Sequence, residues 1–261
     1  ISTYQIDSKL KHFNIFQENT LRYNFSKKID VTANLNFQQS FFKYNDFSTN
    51  IFILNPSLFL NIKKTGFGNF SLSYSENNTL PEVNQLTSNF QLTDYRNFSQ
   101  GTAYNKPLKN QTTTLNYYIY NDEKRFSINT SVYYVNSKSI FNTSSNLTSD
   151  FNFNSYIQTK GSNSYNFNFS FVNYVRKLKL ASKIETNNSW ITSPINVNST
   201  EFLNAKSYSN SIKYSGTTYF KSKINFDFGF SYNYFQSNFQ GIKTNNTTKD
   251  AFLNINYKIS N

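Results

Sequence analysis

The segment Ile224–Tyr234 reads I-N-F-D-F-G-F-S-Y-N-Y. Side chains of an extended strand alternate sides with period two, so Ile224, Phe226, Phe228, Phe230, Tyr232 and Tyr234 share one face, and Asn225, Asp227, Gly229, Ser231 and Asn233 share the other. The same alternation recurs about ten times along the chain. A large set of strands that are all greasy on one side and wet on the other suits one solvent arrangement best, with lipid outside and water or polar side chains inside, as in a transmembrane β-barrel.

Composition supports that reading. Hydrophobic residues make up only 37% of the 261 residues, yet aromatics make up 19%, with 28 Phe and 20 Tyr. Disordered chains are poor in aromatics, so low bulk hydrophobicity here points to half-buried strands with aromatic girdles. Trp190 and Tyr234 near strand tops, and Tyr174 near a strand base, fit such girdles. No apolar run is long enough for a transmembrane helix, whereas a barrel strand needs only about ten residues with every second one apolar. Cys is absent, which fits an oxidising compartment.

The alternation predicts about twelve strands in an all-β, antiparallel up-and-down barrel. The expected strands centre on residues 3–10, 15–25, 29–38, 58–62, 70–74, 115–119, 126–134, 165–171, 178–184, 208–214, 224–234 and 253–257. Short turns are expected near Lys27, Lys63, Glu123, Arg176 and Thr217, and loops near Asp46, Asn89, Ser149, Val197 and Asn245. Residues 76–111 and 137–160 lose the alternation and read as long loops, with a hairpin arm at 151–157. Short turns on one side and loops on the other match periplasmic and extracellular faces, and an even strand count puts both chain ends on the periplasmic side.

Net charge is +12, from 26 Lys and Arg against 14 Asp and Glu. The bases are scattered in short clusters at turns, such as Lys27-Lys28 and Arg176-Lys177-Leu178-Lys179. Solvated turn charge and contact with anionic lipid head groups account for them. No nucleic-acid partner is expected, because no nucleic-acid-binding fold signature accompanies the charge. His12 is the only His and reads as an ordinary rim residue, and the acids are dispersed. No catalytic residue, metal site or cofactor is therefore expected, and the chain is not expected to be an enzyme. Five charged residues, Arg22, Lys183, Lys213, Asp227 and Lys258, are predicted to face the lumen, where they can line a solute path or pair with each other.

One stretch resembles a known family. Asn55-Pro56-Ser57-Leu58-Phe59-Leu60, then Phe70-Ser71-Leu72-Ser73-Tyr74-Ser75, then Leu80-Pro81-Glu82-Val83-Asn84-Gln85-Leu86 resemble the strand starts and loop motif of the Bacteroidetes outer-membrane barrels related to TonB-dependent receptors. Leu80 stands where that family has Arg, and Asn105-Lys106-Pro107-Leu108 is similar to its following loop motif. Ser162-Asn163-Ser164-Tyr165 is similar to a later strand, with Asn166 at a position where Gly is usual. The resemblance singles out Pro81, Gln85, Leu86, Asn105 and Pro107.

It implies a barrel of about 22 strands with an N-terminal plug, located in the outer membrane of a Gram-negative bacterium. Residues 1–261 are expected to form one outer-membrane barrel domain, the middle and later part of such a barrel without its plug. A complete twelve-stranded barrel is the rival expectation. The function implied is uptake of a nutrient such as a glycan, peptide or metal chelate. The alternative is a non-transporting barrel subunit that acts as scaffold in an outer-membrane assembly or secretion complex. The partners expected are outer-membrane lipid and other outer-membrane or periplasmic proteins.

Overall fold

A computed structural model describes residues 10–44, 47–64, 68–80, 91–102, 106–148, 150–195 and 202–257. Fifteen strands account for nearly all of them: β1 Leu10–Ser26, β2 Ile29–Tyr44, β3 Phe47–Lys64, β4 Gly68–Thr79, β5 Gln91–Leu92, β6 Asn97–Gln100, β7 Leu108–Asn121, β8 Phe126–Ser137, β9 Ser139–Leu147, β10 Asn152–Lys160, β11 Asn163–Val175, β12 Leu180–Ile195, β13 Leu203–Thr218, β14 Ile224–Phe239 and β15 Ile242–Tyr257. Eleven form one antiparallel up-and-down sheet in the order β1-β2-β3-β4-β7-β8-β11-β12-β13-β14-β15. Each corresponds to one of the strands read from the alternation. The remaining expected strand, at residues 3–10, lies outside the described residues except for Leu10, which opens β1.

The sheet is not closed. β1 and β15 are its two ends, unpaired with each other. The first and last of the eleven strands run in the same direction, and the expectation that both chain ends lie on the short-turn side involves the strand expected at residues 3–10, which lies outside the described residues except for Leu10. β1 begins at the end that carries the long connections, and β15 finishes at the short-turn end.

The connections depart from expectation in an informative way. At one end all are short: Lys27-Lys28, then residues 65–67, 122–125, 176–179 and 219–223. Lys63 and Thr217 belong to strands, not turns, and Leu178 belongs to a turn, not a strand. At the other end only the connections after β4 and β8 are long. β2 ends at Tyr44 and β3 begins at Phe47, and the loop expected at Asp46 lies outside the described residues, as do those expected at Asn89, Ser149 and Val197. β14 and β15 are joined by Gln240-Gly241, with φ of 53° and 83°. Two successive positive φ values make a two-residue turn whose twist matches that of the flanking strands. Asn245 is therefore a strand residue, correcting its placement in a loop.

The two long connections pair with each other. β5, β6, β10 and β9 form a separate four-stranded sheet at the long-connection end, with β6 and β10 parallel and β9 and β10 an antiparallel hairpin. Residues 76–79 and 108–111, expected to be loop, are instead the paired ends of β4 and β7.

Register carries the faces coherently across the large sheet. Phe230 lies opposite Tyr214, Tyr214 opposite Ile184, Ile184 opposite Phe171, Phe171 opposite Ile128 and Ile128 opposite Ile119. The same side carries Leu72, Leu60, Val31 and Tyr23 in another row. Near the long-connection end, Tyr134, Tyr165, Trp190 and Tyr208 fall in one cross-strand row, with ring centroids 4.7 Å apart for Tyr134–Tyr165 and 5.2 Å for Trp190–Tyr208. Tyr174 departs from the expected girdle, because its register partners Ala181 and Thr217 place it on the polar side.

Among the described residues no second layer covers this apolar face. Among the described residues the buried hydrophobics are Ile51 and Ile53 alone, while Leu21, Tyr23, Leu253 and Ile255 are each at least 59% exposed. The chain exposes 17929 Å². A folded water-soluble monomer of 30.5 kDa would expose about 12,000 Å². A single layer with a continuous apolar side leaves that side for something other than this chain to cover.

Candidate functional site

Opposite the apolar face lies a surface of amides and hydroxyls, and register gives it order. Asn24, Asp30, Asn61, Ser71, Asn116, Ser131, Asn168, Asn187, Ser211, Asn233 and Thr248 are successive cross-strand partners, one per strand, across the whole sheet. Every residue in this row is polar, and Asp30 alone carries a full charge. Directly opposed side chains in neighbouring strands are close enough to bond. Asn61 Nδ2 donates to Asp30 Oδ2 (3.1 Å), Asn116 Nδ2 to Ser71 Oγ (3.3 Å), Asn168 Nδ2 to Ser131 Oγ (3.2 Å) and Ser211 Oγ to Asn233 Oδ1 (2.7 Å). The second row beyond it, past Arg22, Thr32 and Phe59, repeats the device, with Thr20 Oγ1 donating to Asn34 Oδ1 (2.8 Å) and Asn34 Nδ2 to Ser57 Oγ (3.0 Å). Between β11 and β15 the face is hollowed into a depression of about 300 Å³, lined by Asn168, Asn187, Ser211, Asn233, Phe235 and neighbours.

Four of the charged residues predicted for the wet side, Arg22, Lys183, Lys213 and Asp227, do lie on the polar face. Lys258 lies outside the described residues. All four sit toward the short-turn end, near the starts or ends of their strands at Ser26, Leu180, Thr218 and Ile224. They are not one cluster. Lys183 Nζ lies 2.7 Å from Glu185 Oε1 on its own strand, and Lys213 stands directly across from that same glutamate. Asp227 Oδ2 accepts from Asn256 Nδ2 at 2.6 Å, and Arg22 is exposed. Asp30 and Lys63, 3.8 Å apart, add a further pair at this end. These charges thus lie toward the short turns, while Glu18 and Asp250 stand farther along the same face among amides and hydroxyls.

The short turns present a basic rim. Lys27, Lys28, Lys124, Arg125, Arg176 and Lys177 are all exposed there. Arg125 and Lys179, with φ of 51° and 48°, end their four-residue turns in the left-handed region. Adjacent turns are tied to each other: Arg176 Nη2 donates to the Glu123 carbonyl (3.1 Å), the Tyr174 amide to the Arg125 carbonyl (3.0 Å), and the Arg125 guanidinium lies 5.3 Å from the Tyr174 ring centroid.

At the other end two features stand out. The first explains how β3 tolerates Pro56, which has no N–H for a ladder. Backbone pairing of β3 with β4 stops at Ser57 and Ser75. Beyond it, Asn55 Oδ1 accepts from the Asn78 amide (2.6 Å), and Asn78 Nδ2 donates to the Leu54 carbonyl (2.6 Å), so two carboxamides carry the pairing past the proline. Glu76 meets Lys109 Nζ at 2.6 Å and accepts from Gln111 Nε2 at 2.9 Å beside them. Leu80 packs on Ile51 and Ile53. Of the residues singled out by the loop motif, Pro107 stands half-buried directly before β7, while Pro81, Gln85, Leu86 and Asn105 lie outside the described residues.

The second feature is the small sheet. Phe98, Phe151 and Phe153 cluster with centroids 5.3–6.3 Å apart, Leu92 lies opposite Phe98, and Tyr95 is 80% exposed with Arg96 over its ring at 5.3 Å. In the β5–β6 turn the backbone N–H of Arg96 and the side-chain amide of Asn97 hold the Asp94 carboxyl below its ordinary range. Sequence reasoning missed this cluster because its aromatics belong to two segments far apart in the chain. The only available signal was the Phe151–Ile157 arm.

No known protein family matches the chain, and no curated protein resembles it in sequence.

Proposed function

We propose that this chain is the barrel wall of an outer-membrane protein related to the TonB-dependent receptors of Bacteroidetes, and that it takes part in nutrient uptake. One observation carries the reading: a continuous apolar face that no layer among the described residues covers, backed by a face with a cross-strand row that is polar in all eleven strands. Lipid is the solvent that makes the first favourable, and a water-filled or polar interior the second. In β14 the apolar run Ile224–Tyr234 spans ten residue steps. At ~3.3 Å per step and a tilt of ~40° it reaches ~25 Å along the membrane normal, the height of a barrel's apolar band. The basic rim at the short turns suits anionic head groups, and the aromatic row through Trp190 suits the opposite interface.

The polar face is the feature that supports uptake. Amides and hydroxyls offer donors and acceptors to a passing solute, and the charges at the short-turn end can filter it. The aromatics of the small sheet, with Tyr95 and Phe151 exposed and Phe98 and Phe153 half-buried, favour a second reading, in which the barrel is a scaffold and a partner protein sits on Tyr95 and Phe151.

The test is fractionation of the native membranes, with heated and unheated gel samples, followed by growth of a deletion strain on a panel of nutrients. Outer-membrane recovery, heat-dependent mobility and a growth defect on one nutrient class are expected. Recovery in soluble fractions sinks the membrane reading. A membrane-embedded protein with stable partner chains and no growth defect replaces uptake with the scaffold.

A further inference from the structure

Two features of the short-turn end coincide at one place. The first is charge without counter-charge. The turn at 122–125 sets Asp122 and Glu123 beside Lys124 and Arg125. The turns at 176–179 and 219–223 hold Arg176, Lys177, Lys179, Lys221 and Lys223 and no acid. These two turns are neighbours, because the Tyr219 amide donates to the Lys179 carbonyl (2.7 Å). Arg176 is turned toward the Glu123 carbonyl of the preceding turn. None of the ion pairs among the described residues includes a lysine of the two turns. Asp227, near the start of β14, belongs to the polar face and accepts from Asn256.

The second feature is a hollow of about 470 Å³ at the same two turns. Leu178, Leu180, Phe220 and Phe228 wall it, and Lys177 and Lys179 share its lining. By strand alternation Leu180 and Phe228 share the apolar side with Ile184 and Phe230. The Phe228 ring lies across bare backbone, since a β-carbon at Gly216 would stand 2.5 Å from its Cζ. Phe228 is four steps above Ile224, or ~10 Å along the membrane normal at ~3.3 Å per step and ~40° of tilt. The hollow therefore straddles the lower margin of the apolar band.

A ligand for this place needs two parts. Lysine ammonium groups bind phosphate as point charges, and two of them without carboxylate partners require an anion. Apolar walls require hydrocarbon on the same molecule. Lys179 is half-buried, and a lysine stem lies along apolar surface while its ammonium group reaches the head-group layer. Free phosphate satisfies the lysines alone, and a zwitterionic lipid brings its own cation to them. We propose that the hollow is a binding site for one anionic phospholipid, with its phosphate between Lys177 and Lys179 and an acyl chain against Leu180, Phe220 and Phe228. This assigns one lipid to one place, beyond a basic rim that attracts head groups in general, and it rests on the membrane reading above.

The native, full-length protein is extracted from its own membrane in neutral detergent and incubated with phosphatidylglycerol, and retained lipid is counted by native mass spectrometry. Phosphatidylcholine with the same tails and inorganic phosphate are the comparison probes. Three variants stand beside wild type: Lys177→Gln with Lys179→Gln, Phe220→Ser, and Lys27→Gln with Lys28→Gln, which removes the same charge from another exposed turn. The expected result is one phosphatidylglycerol on wild type, weaker retention of phosphatidylcholine and no displacement by inorganic phosphate. A lysine near an anionic head group is worth about fivefold, so affinity falls roughly 30-fold in the first variant. It falls also in Phe220→Ser and is unchanged in the Lys27→Gln, Lys28→Gln variant.

Equal loss in that last variant overturns the proposal in favour of diffuse rim charge. Equal retention of phosphatidylcholine overturns it in favour of an apolar notch without anion selectivity, and displacement by inorganic phosphate in favour of a free-phosphate site. Unchanged affinity in Phe220→Ser overturns it in favour of head-group attraction alone, and no retained phosphatidylglycerol on wild type overturns it outright. The comparison probes act on wild type, so the test stands where a variant fails to fold. Heat-dependent mobility reads the barrel separately, so loss of the barrel reading and loss of this site are distinguishable.

Discussion

Phe230 and Asn233 lie three residues apart on β14 and face opposite solvents, so placing the same charge at each tests the face assignment directly. Phe230 is 46% exposed, opposite Tyr214 on one side and Ala251 on the other. It stands six steps above Ile224 and four below Tyr234. With ~3.3 Å per step and ~40° of tilt, that places it ~15 Å above the lower rim of a ~25 Å band, close to the midplane. A lysine there costs about 2–4 kcal/mol, or roughly 30- to 800-fold in the folding equilibrium. Asn233 accepts from Ser211 Oγ at 2.7 Å and otherwise faces the polar depression. Asn233→Lys loses that bond, at a net cost of about 1 kcal/mol, and leaves the ammonium in a wet site. Each variant is expressed in full, and the membrane-embedded, heat-modifiable fraction is measured on gels against unheated wild type. Phe230→Lys is expected to remove most of that fraction and Asn233→Lys little of it. Equal loss in both, or greater loss in Asn233→Lys, would refute the assignment of lipid to the Phe230 side.

Four further outcomes follow from particular contacts. Gly229→Val is expected to destabilise by about 1–3 kcal/mol, because a β-carbon there would lie 2.7 Å from the Tyr214 carbonyl oxygen, which cannot move aside; loss of heat-modifiable protein reads it. Asn55→Ala removes the side chain that pairs past Pro56 and strands the Asn78 amide, at about 1–3 kcal/mol. Faster hydrogen exchange confined to residues 76–79 is expected, and unchanged exchange there would show that the carboxamide bridge does not hold β4. Lys109→Glu replaces the partner of Glu76 with a like charge on the neighbouring strand and is expected to cost up to about 1 kcal/mol, a cost that Glu76→Lys in the same chain should restore. Phe98→Ala removes one ring from two close pairs in the small sheet, at about 0.5–1.5 kcal/mol for each. Accelerated protease cleavage between residues 138 and 162, with the large sheet intact, is the expected result.

The existence of the eleven long strands and the sidedness of each were legible in the sequence, because alternation survives wherever one face of the sheet is apolar and the other polar. Strand ends were not. β4 continues through Glu76 and Asn78, and β15 begins with Ile242, Lys243, Thr244 and Asn245, so both read as loop. Above the apolar band nothing selects a greasy residue at every second position, and the period disappears while the hydrogen-bonded ladder goes on. The Gln240-Gly241 turn was missed for a local reason. Its two positive φ values are more commonly supplied by Asn-Gly or Asp-Gly, and Gln carries a weaker signal. The pairing of β6 with β10 joins residues 97–100 to residues 152–155, a parallel contact between two polar segments that no local pattern announces.

The polar row from Asn24 to Thr248 was hidden for a deeper reason. Period two tells which face a residue occupies but not which residue it faces, because a slip of one residue inverts the face while a slip of two preserves it. Slipping β12 by two residues would keep its apolar side toward Ile212 and Phe169. It would also replace Asn187 in the row with Glu185 or Ser189, bringing a carboxylate between Asn168 and Ser211 in the first case. What fixes the register is turn length. The four-residue turns at 122–125 and 176–179 set β8 against β7 and β12 against β11, each ending in a left-handed Arg125 or Lys179. A turn shortened or lengthened by one residue would move every following side chain to the wrong solvent. The chemistry of the row from Asn116 to Asn187 is therefore determined at the short-turn rim, by turn residues that are not part of it.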